Sequence, residues 1–196
     1  MGGRRQKFRQ PRAGIYILGE GITEQYYFTH LKHIFNYVCT IRPRFFSNNC
    51  IMDFDKRIVE LLKGDIIIIC VFDADVAKRN AMEREKLAII QKRYKHNRNI
   101  IFCDSFPSIE YWFLLHFKEI YPHFTTSKQA ERELLNFIKN YEKSETFFRN
   151  GRWVRDMSLN IGDIQKAMER AKKSCSGTAA YSKIYLAIDK LNKSSN

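Results

Sequence analysis

The sequence predicts an α/β fold: a parallel sheet with helices on both faces and a helical C-terminal extension. Two observations carry this expectation. The run Ile66-Ile67-Ile68-Ile69-Cys70-Val71-Phe72 is apolar without alternation, as burial on both faces of a parallel sheet demands. Apolar strands also alternate with helical patterns at spacings that suit right-handed crossovers. A third feature concerns the site. Two strands end in acids: Ile15-Tyr16-Ile17-Leu18-Gly19 leads into Glu20 with Glu24 four residues on, and the 66–72 run leads into Asp73 with Asp75 beyond. Ligands of open α/β sheets bind outside the carboxyl ends of the strands, so these acids are candidates for a site.

Taken in order, residues 15–18 read as a buried strand, and Gly19-Glu20-Gly21 as the tight turn into a helix from Glu24 to Asn36. That helix sets Tyr27, Phe28, Leu31, Ile34 and Phe35 on one face. Residues 39–47 read as a second strand. Phe54, Ile58, Leu61 and Leu62 mark a helix stopping at Gly64. After the 66–72 strand come a charged helix over 79–95, a strand over 99–103, and a densely aromatic helix from Ile109 to Phe117 beyond Pro107. No strong strand signal follows residue 119. Ser127–Tyr141, Asp163–Ser174 and Ala179–Leu191 read as helices around a loop near 144–161 that holds Arg149, Arg152, Trp153 and Arg155. Three regions result: a basic flexible tail over 1–12, an α/β core over 13–118, and a helical region over 119–196 packed on it.

Length and composition set the class. The 196 residues suit one ordinary domain, and 44% apolar with 14% aromatic content excludes a disordered chain. No stretch reaches the roughly 20 apolar residues that cross a bilayer, and the basic N-terminus has no apolar signal core. A cytoplasmic address is expected. Five cysteines (Cys39, Cys50, Cys70, Cys103, Cys175) are scattered with no C-x-x-C pair, which points to reduced structural thiols and not a zinc site. The formal net charge of +13 favours a polyanionic partner, nucleic acid above all. Five of the first 12 residues are basic, and Lys92-Arg93-Tyr94-Lys95-His96-Asn97-Arg98 is a second basic run. Taken singly, each run also fits a solvated tail or a helix C-terminus.

Glu20 and Glu24 are one helical turn apart and can share a cavity. Asp73 and Asp75 stay on one side while the chain remains extended. Acids on neighbouring parallel strands, roughly 4.8 Å apart, repel unless a cation neutralises them. Oxygen-only donors select Mg²⁺ or Mn²⁺ over zinc, and such an ion promotes phosphoryl transfer to water. The alternative is structural: Glu20 caps its turn and Asp73 caps the next helix. Glu110 opens the aromatic helix as a further acid of the site or as a dipole-favoured first-turn residue. His116 reads as a core histidine, and Trp112 and Phe113 as core.

Three blocks carry a resemblance: Gly19-Glu20-Gly21-Ile22-Thr23-Glu24-Gln25-Tyr26-Tyr27-Phe28, then Phe72-Asp73-Ala74-Asp75, then Ser105-Phe106-Pro107-Ser108-Ile109-Glu110-Tyr111-Trp112-Phe113-Leu114-Leu115-His116-Phe117. Together they resemble the RloB family, which is similar to Toprim-fold nucleases and occurs beside restriction–modification loci and in abortive-infection systems. The resemblance implies a Toprim-like core and a metal-dependent nuclease of phage defence, with an AAA- or ABC-type ATPase subunit as partner. It makes Glu20 a general acid/base or metal ligand supported by Glu24, and Asp73 and Asp75 metal ligands. Lys172 and Lys173 stand on a late helix; Lys173 is the candidate cation for the scissile phosphate, and a solvated helix face is the structural alternative. The family's usual Ser-Asn-Pro reads Ser105-Phe106-Pro107 here, so any polar role of the Asn is missing. The rival expectation is a non-catalytic nucleic-acid-binding or regulatory partner of the ATPase.

Overall fold

A five-stranded sheet in the order β2-β1-β3-β4-β5 organises the chain. The structure, a computed structural model, describes residues 14–42, 51–75, 80–119, 124–174 and 180–195, without the side chains of 51–54. The N-terminal tail expected over 1–12 lies outside these residues. Strands β1 (Gly14–Gly19), β2 (Thr40–Arg42), β3 (Ile66–Asp73) and β4 (Ile100–Phe106) are mutually parallel. Helix α1 (Ile22–Phe35) joins β1 to β2, α2 (Ile51–Leu61) joins β2 to β3, and α3 (Ala81–Tyr94) lies between β3 and β4. The C-terminal part contains α4 (Ile109–Leu115), α5 (Ser127–Leu134), α6 (Glu145–Arg149), α7 (Arg152–Arg155), a π-helical turn (Asp156–Asn160), α8 (Ile164–Ser174), β5 (Tyr181–Ser182) and α9 (Ile184–Ser195).

The unbroken apolar character of β3 is explained by two cores. Ile67, Ile69 and Val71 join Ile15, Ile17, Cys103 and the buried faces of α1, α4, α8 and α9. Ile68, Cys70 and Phe72 point the other way, to Leu18, Ile58, Leu61, Ile90 and Tyr94 of β1, α2 and α3. Successive side chains of a strand face opposite sides of the sheet, so a strand covered on both sides has no polar position to spare. On the second face, Tyr94 Oη donates to Asp55 Oδ1 at 2.8 Å and Arg93 pairs with the same carboxylate, fastening α3 to α2. The first core runs from Ile15 to Leu191, drawing on both ends of the chain. Cys39, Cys70 and Cys103 are buried free thiols, as the spacing predicts; Cys50 and Cys175 lie outside the described residues.

The C-terminal half departs from the sequence expectation at three places. The helix expected over Ser127–Tyr141 ends at Leu134, and turns follow, with Asn140 at φ 60°; asparagine tolerates that left-handed conformation. The loop expected near 144–161 folds into α6, α7 and the π turn around buried Phe148, Trp153, Val154 and Met157. The helix expected from Ala179 begins at Ile184, because Tyr181 and Ser182 pair antiparallel with Phe106 and Ser105. Two residues carry no detectable period; Ser105 and Ser182 share a 2.8 Å hydroxyl hydrogen bond across this pair, and Tyr181 Oη and Lys183 Nζ both donate to Asp104. Of the expected 39–47 strand, Thr40–Arg42 is present and 43–47 lies outside the described residues. Among the described residues no helix is long and apolar enough to cross a membrane.

Trp112, Phe113 and His116 are core residues, as expected. Trp112 Nε1 donates to Tyr27 Oη at 2.6 Å, linking α4 to α1. Tyr27→Phe should therefore leave a buried indole N–H unsatisfied and destabilise the fold by about 1–3 kcal/mol. A lowered urea midpoint with an unchanged slope is the expected result; an unchanged midpoint would show the bond to be dispensable.

Candidate active site

Three neighbouring strand ends build the site. In the order β2-β1-β3-β4 the chain leaves β1 to one side for β2 and returns to the other side with β3, so the topology switches between β1 and β3, where doubly wound sheets open a crevice. Glu20 follows β1, Asp73 ends β3, and Ser108 to Glu110 follow β4. Glu20, Gly21, Ile22, Thr23, Glu24, Asp73, Ile109 and Lys143 line a cleft of about 190 Å³ there. At roughly 30 Å³ per water, that volume holds about six waters.

Backbone amides fix the acids. Glu20 Oε2 accepts from Asp73 N at 3.0 Å, and Asp73 Oδ1 accepts from Ile109 N at 2.8 Å at the start of α4. Glu24 Oε2 accepts from Gly21 N at 2.9 Å, folding back over the first turn of α1. Two glycines allow that approach: a Cβ on Gly19 would stand 2.9 Å from Glu24 Cβ, and one on Gly21 would stand 3.0 Å from Glu24 Oε2. Asp75 is buried just beyond β3 and adds its negative field to Glu20.

Glu110 lies beneath the cleft and not in its wall. It is fully buried, accepting from Ser108 Oγ at 2.5 Å and Tyr141 Oη at 2.6 Å. Lys143 Nζ lies 3.1 Å from Glu110 Oε1 and 2.9 Å from Glu131 Oε1. Lys143 is thus the cation of the cleft. Burial opposes its charge, but Glu110 and Glu131 outweigh that and hold the ammonium above the ordinary lysine range. Lys173, the cation expected from sequence, is exposed on α8 with Nζ 3.2 Å from Glu119 Oε1, and Lys172 Nζ lies 5.9 Å from the Tyr185 ring centre; neither lines the cleft. Lys143 and Tyr141 were invisible in the sequence; the only signal near them is Asn140, a residue suited to the turn that precedes them.

Crowded acids in a low-dielectric setting hold protons more tightly. Burial, then the neighbouring Glu20 and Glu110, pushes Glu24 up to about 7 against the hydrogen bonds that favour its charge. Burial and the fields of Glu24, Glu110 and Glu20 raise Asp73 well above the usual carboxylate range, with Lys143 pulling the other way. Glu20 is raised by burial and by Asp75, against the Asp73 amide and Lys143. His116 is displaced the other way, to about 4, because burial disfavours its cation.

The oxygen-only donor set suits Mg²⁺ or Mn²⁺ better than zinc. Among the described residues, no group of three or more His, Cys, Asp or Glu side chains is drawn together closely enough to hold an ion. Mg²⁺ commonly takes one or two carboxylates and completes its shell with water and substrate phosphate, so Glu20 and Asp73 fit such an ion without a closed protein cage.

The model of the RloB-like protein family matches residues 15–191, from β1 into the last helix. The chain belongs to the RloB-like family. No curated protein and no solved structure matches it. All three blocks that carry the resemblance fall inside the matched span, as do Glu20, Glu24, Asp73, Glu110 and Lys143.

The raised acids set the pH dependence of the ion-free protein. An acid with a higher pKa folded than unfolded binds more protons in the folded state, so its contribution to stability is complete at low pH and is lost as pH rises. For Glu24 the window runs from 4.5 to about 7. Thermal unfolding of Glu24→Gln compared with the parent chain should remove a loss on the order of 3 kcal/mol across that window. An identical pH slope in both proteins would mean that Glu24 stays ionised.

Proposed function

We propose that this RloB-like protein is a divalent-metal-dependent nuclease that hydrolyses phosphodiesters in the cytoplasm as part of phage defence. The observation that carries this reading is the meeting of Glu20, Glu24 and Asp73 with Lys143 in one cleft at the sheet's switch point, on a chain of net charge +13. Glu20 and Asp73, with Glu24 and Asp75 close by, would hold Mg²⁺ or Mn²⁺. When bound, that ion supplies Lewis-acid polarisation of the phosphate and lowers the pKa of attacking water. Lys143 presents a fixed ammonium to a nonbridging phosphate oxygen, and Glu110, Glu131 and Tyr141 keep it aimed. The Asp73 carboxylate is oriented by the Ile109 amide, and Glu20 by the Asp73 amide, so both face the cleft without a search over rotamers. The excess of basic residues steers the polyanion inward. The occurrence of similar proteins beside restriction–modification loci supports the defence role and an ATPase subunit as partner.

A second reading has its own support. Glu20, Glu24 and Asp73 are each tied to backbone amides, and Lys143 is already paired, as in a cleft whose charges are settled internally. That arrangement also suits a non-catalytic nucleic-acid-binding or regulatory partner of the ATPase.

Incubating the protein with plasmid DNA, single-stranded DNA and total tRNA in Mg²⁺, Mn²⁺ or EDTA separates the two. Metal-dependent cutting that falls at least 100-fold in Asp73→Asn, with thermal stability and nucleic-acid affinity retained, is the expected outcome. Calorimetry showing no Mn²⁺ binding, together with no cutting when the ATPase is supplied, would sink the nuclease. Lys143→Met should lower cleavage by 10- to 1,000-fold, as the loss of one preorganised charge does, while Mn²⁺ still binds; undiminished cleavage would remove Lys143 from the reaction.

A further inference from the structure

The segment 135–161 supplies Lys143 to the cleft and also walls a second, larger cavity that the hydrolytic reading leaves unused. This cavity measures about 600 Å³, within the size range of small-molecule and nucleotide pockets. Its walls are aromatic. Phe117 and Phe137 stack with ring centres 4.8 Å apart and planes 12° from parallel, and Phe147 and Trp153 stand 6.0 Å apart with planes tilted by 38°. Its rim is cationic: Lys139 is exposed and has no acidic partner among the described residues, while Arg152, 81% exposed, lies 3.4 Å from Asp156.

Cleft and cavity share a wall. Tyr141 donates its hydroxyl to Glu110 beneath the cleft, and its ring lies 5.4 Å from Phe147 and 6.5 Å from Trp153 in the cavity. Lys143 and Phe147 are four residues apart, so their Cα atoms can be separated by no more than about 14 Å. One strand can touch both places.

We propose that this cavity takes an unpaired nucleobase of the strand whose phosphate enters the carboxylate cleft, which makes single-stranded nucleic acid the substrate class. The assignment of that strand rests on the nuclease reading of the cleft. Aromatic side chains with flanking cations are what base stacking and an adjoining phosphate require, and such stacking tolerates any base. A base paired within a duplex cannot enter without leaving its stack. An aliphatic side chain of a protein partner would need neither the aromatic walls nor the exposed Lys139, whereas a polyanion complements the charge of the whole chain.

The test is anisotropy of labelled strands with the full chain in EDTA, which separates binding from cleavage. An oligothymidylate should bind about tenfold more tightly than an abasic strand of equal length and phosphate number, the scale of one base–aromatic stack. Phe137→Leu and, independently, Thr146→Phe, which narrows the cavity from an exposed position, should each erase that preference while leaving abasic-strand affinity and the unfolding temperature near those of the parent. Equal affinity for both strands overturns the proposal, including the case in which a protein partner is the true occupant. A preference that survives both variants puts the base elsewhere and also overturns it. A base preference in a protein that never cleaves would remove the nuclease and leave the pocket standing; cleavage without a base preference would do the reverse.

Discussion

Two hydrogen bonds, from Asp73 N to Glu20 Oε2 and from Ile109 N to Asp73 Oδ1, tie the carboxyl ends of β1 and β3 to the start of α4. The rest of the site depends on this relay. Each carboxylate is held where its own ionisation is disfavoured by burial and by its neighbours, and each amide hydrogen bond offsets part of that cost. The relay therefore fixes direction more than it adds stability. It commits one oxygen of each acid to the backbone and leaves the other for the cleft.

The fold makes this arrangement cheap to hold. Parallel strands bring their carboxyl ends to one edge, and the reversal of strand order between β1 and β3 sends the crossovers that follow β1 and β3 to opposite sides, which opens a crevice between them. Gly19 and Gly21 clear the space into which Glu24 turns. On the far side β5 closes the sheet, and Tyr181 and Lys183 occupy Asp104. That acid, although it lies near the end of β4, is thereby spent on holding β5 and α9 and is unlike Asp73 in role.

Much of this was legible in the sequence, and the reasons for what was not are local. The parallel core announced itself because burial on both faces leaves β3 with no polar residue before Asp73, and Glu20, Glu24 and Asp73 were readable because strand ends are predictable from apolar runs. Glu110 was readable as an acid on α4 but not as a buried anchor, since its partners Tyr141 and Lys143 come from 31 and 33 residues later, across turns with no period. Lys173 was attractive because it sits on a recognisable helix, yet a helical address says nothing about which lysine the tertiary fold returns to the cleft. β5 was hidden by its length, and the 144–161 segment by its five-, four- and five-residue elements, each too short to show periodicity.

The two scales of charge in this protein have opposite sign, and that opposition bears on how a substrate could enter. Over the whole chain the charge is +13, whereas the cleft sets Glu20, Glu24 and Asp73, with Asp75 adjoining, against Lys143 alone. Charges separated by more than about 8 Å are largely screened at physiological salt, so the basic surface acts during approach and the acids act only at contact. A phosphate arriving without a further cation would exchange an attractive exterior for a repulsive pocket. A divalent ion arriving alone would be drawn by those acids but repelled by Lys143 and by the basic exterior. Each entrant lowers the electrostatic cost of the other, and this coupling must be reciprocal. On the reading proposed here, metal and nucleic acid are therefore held together more tightly than either is alone.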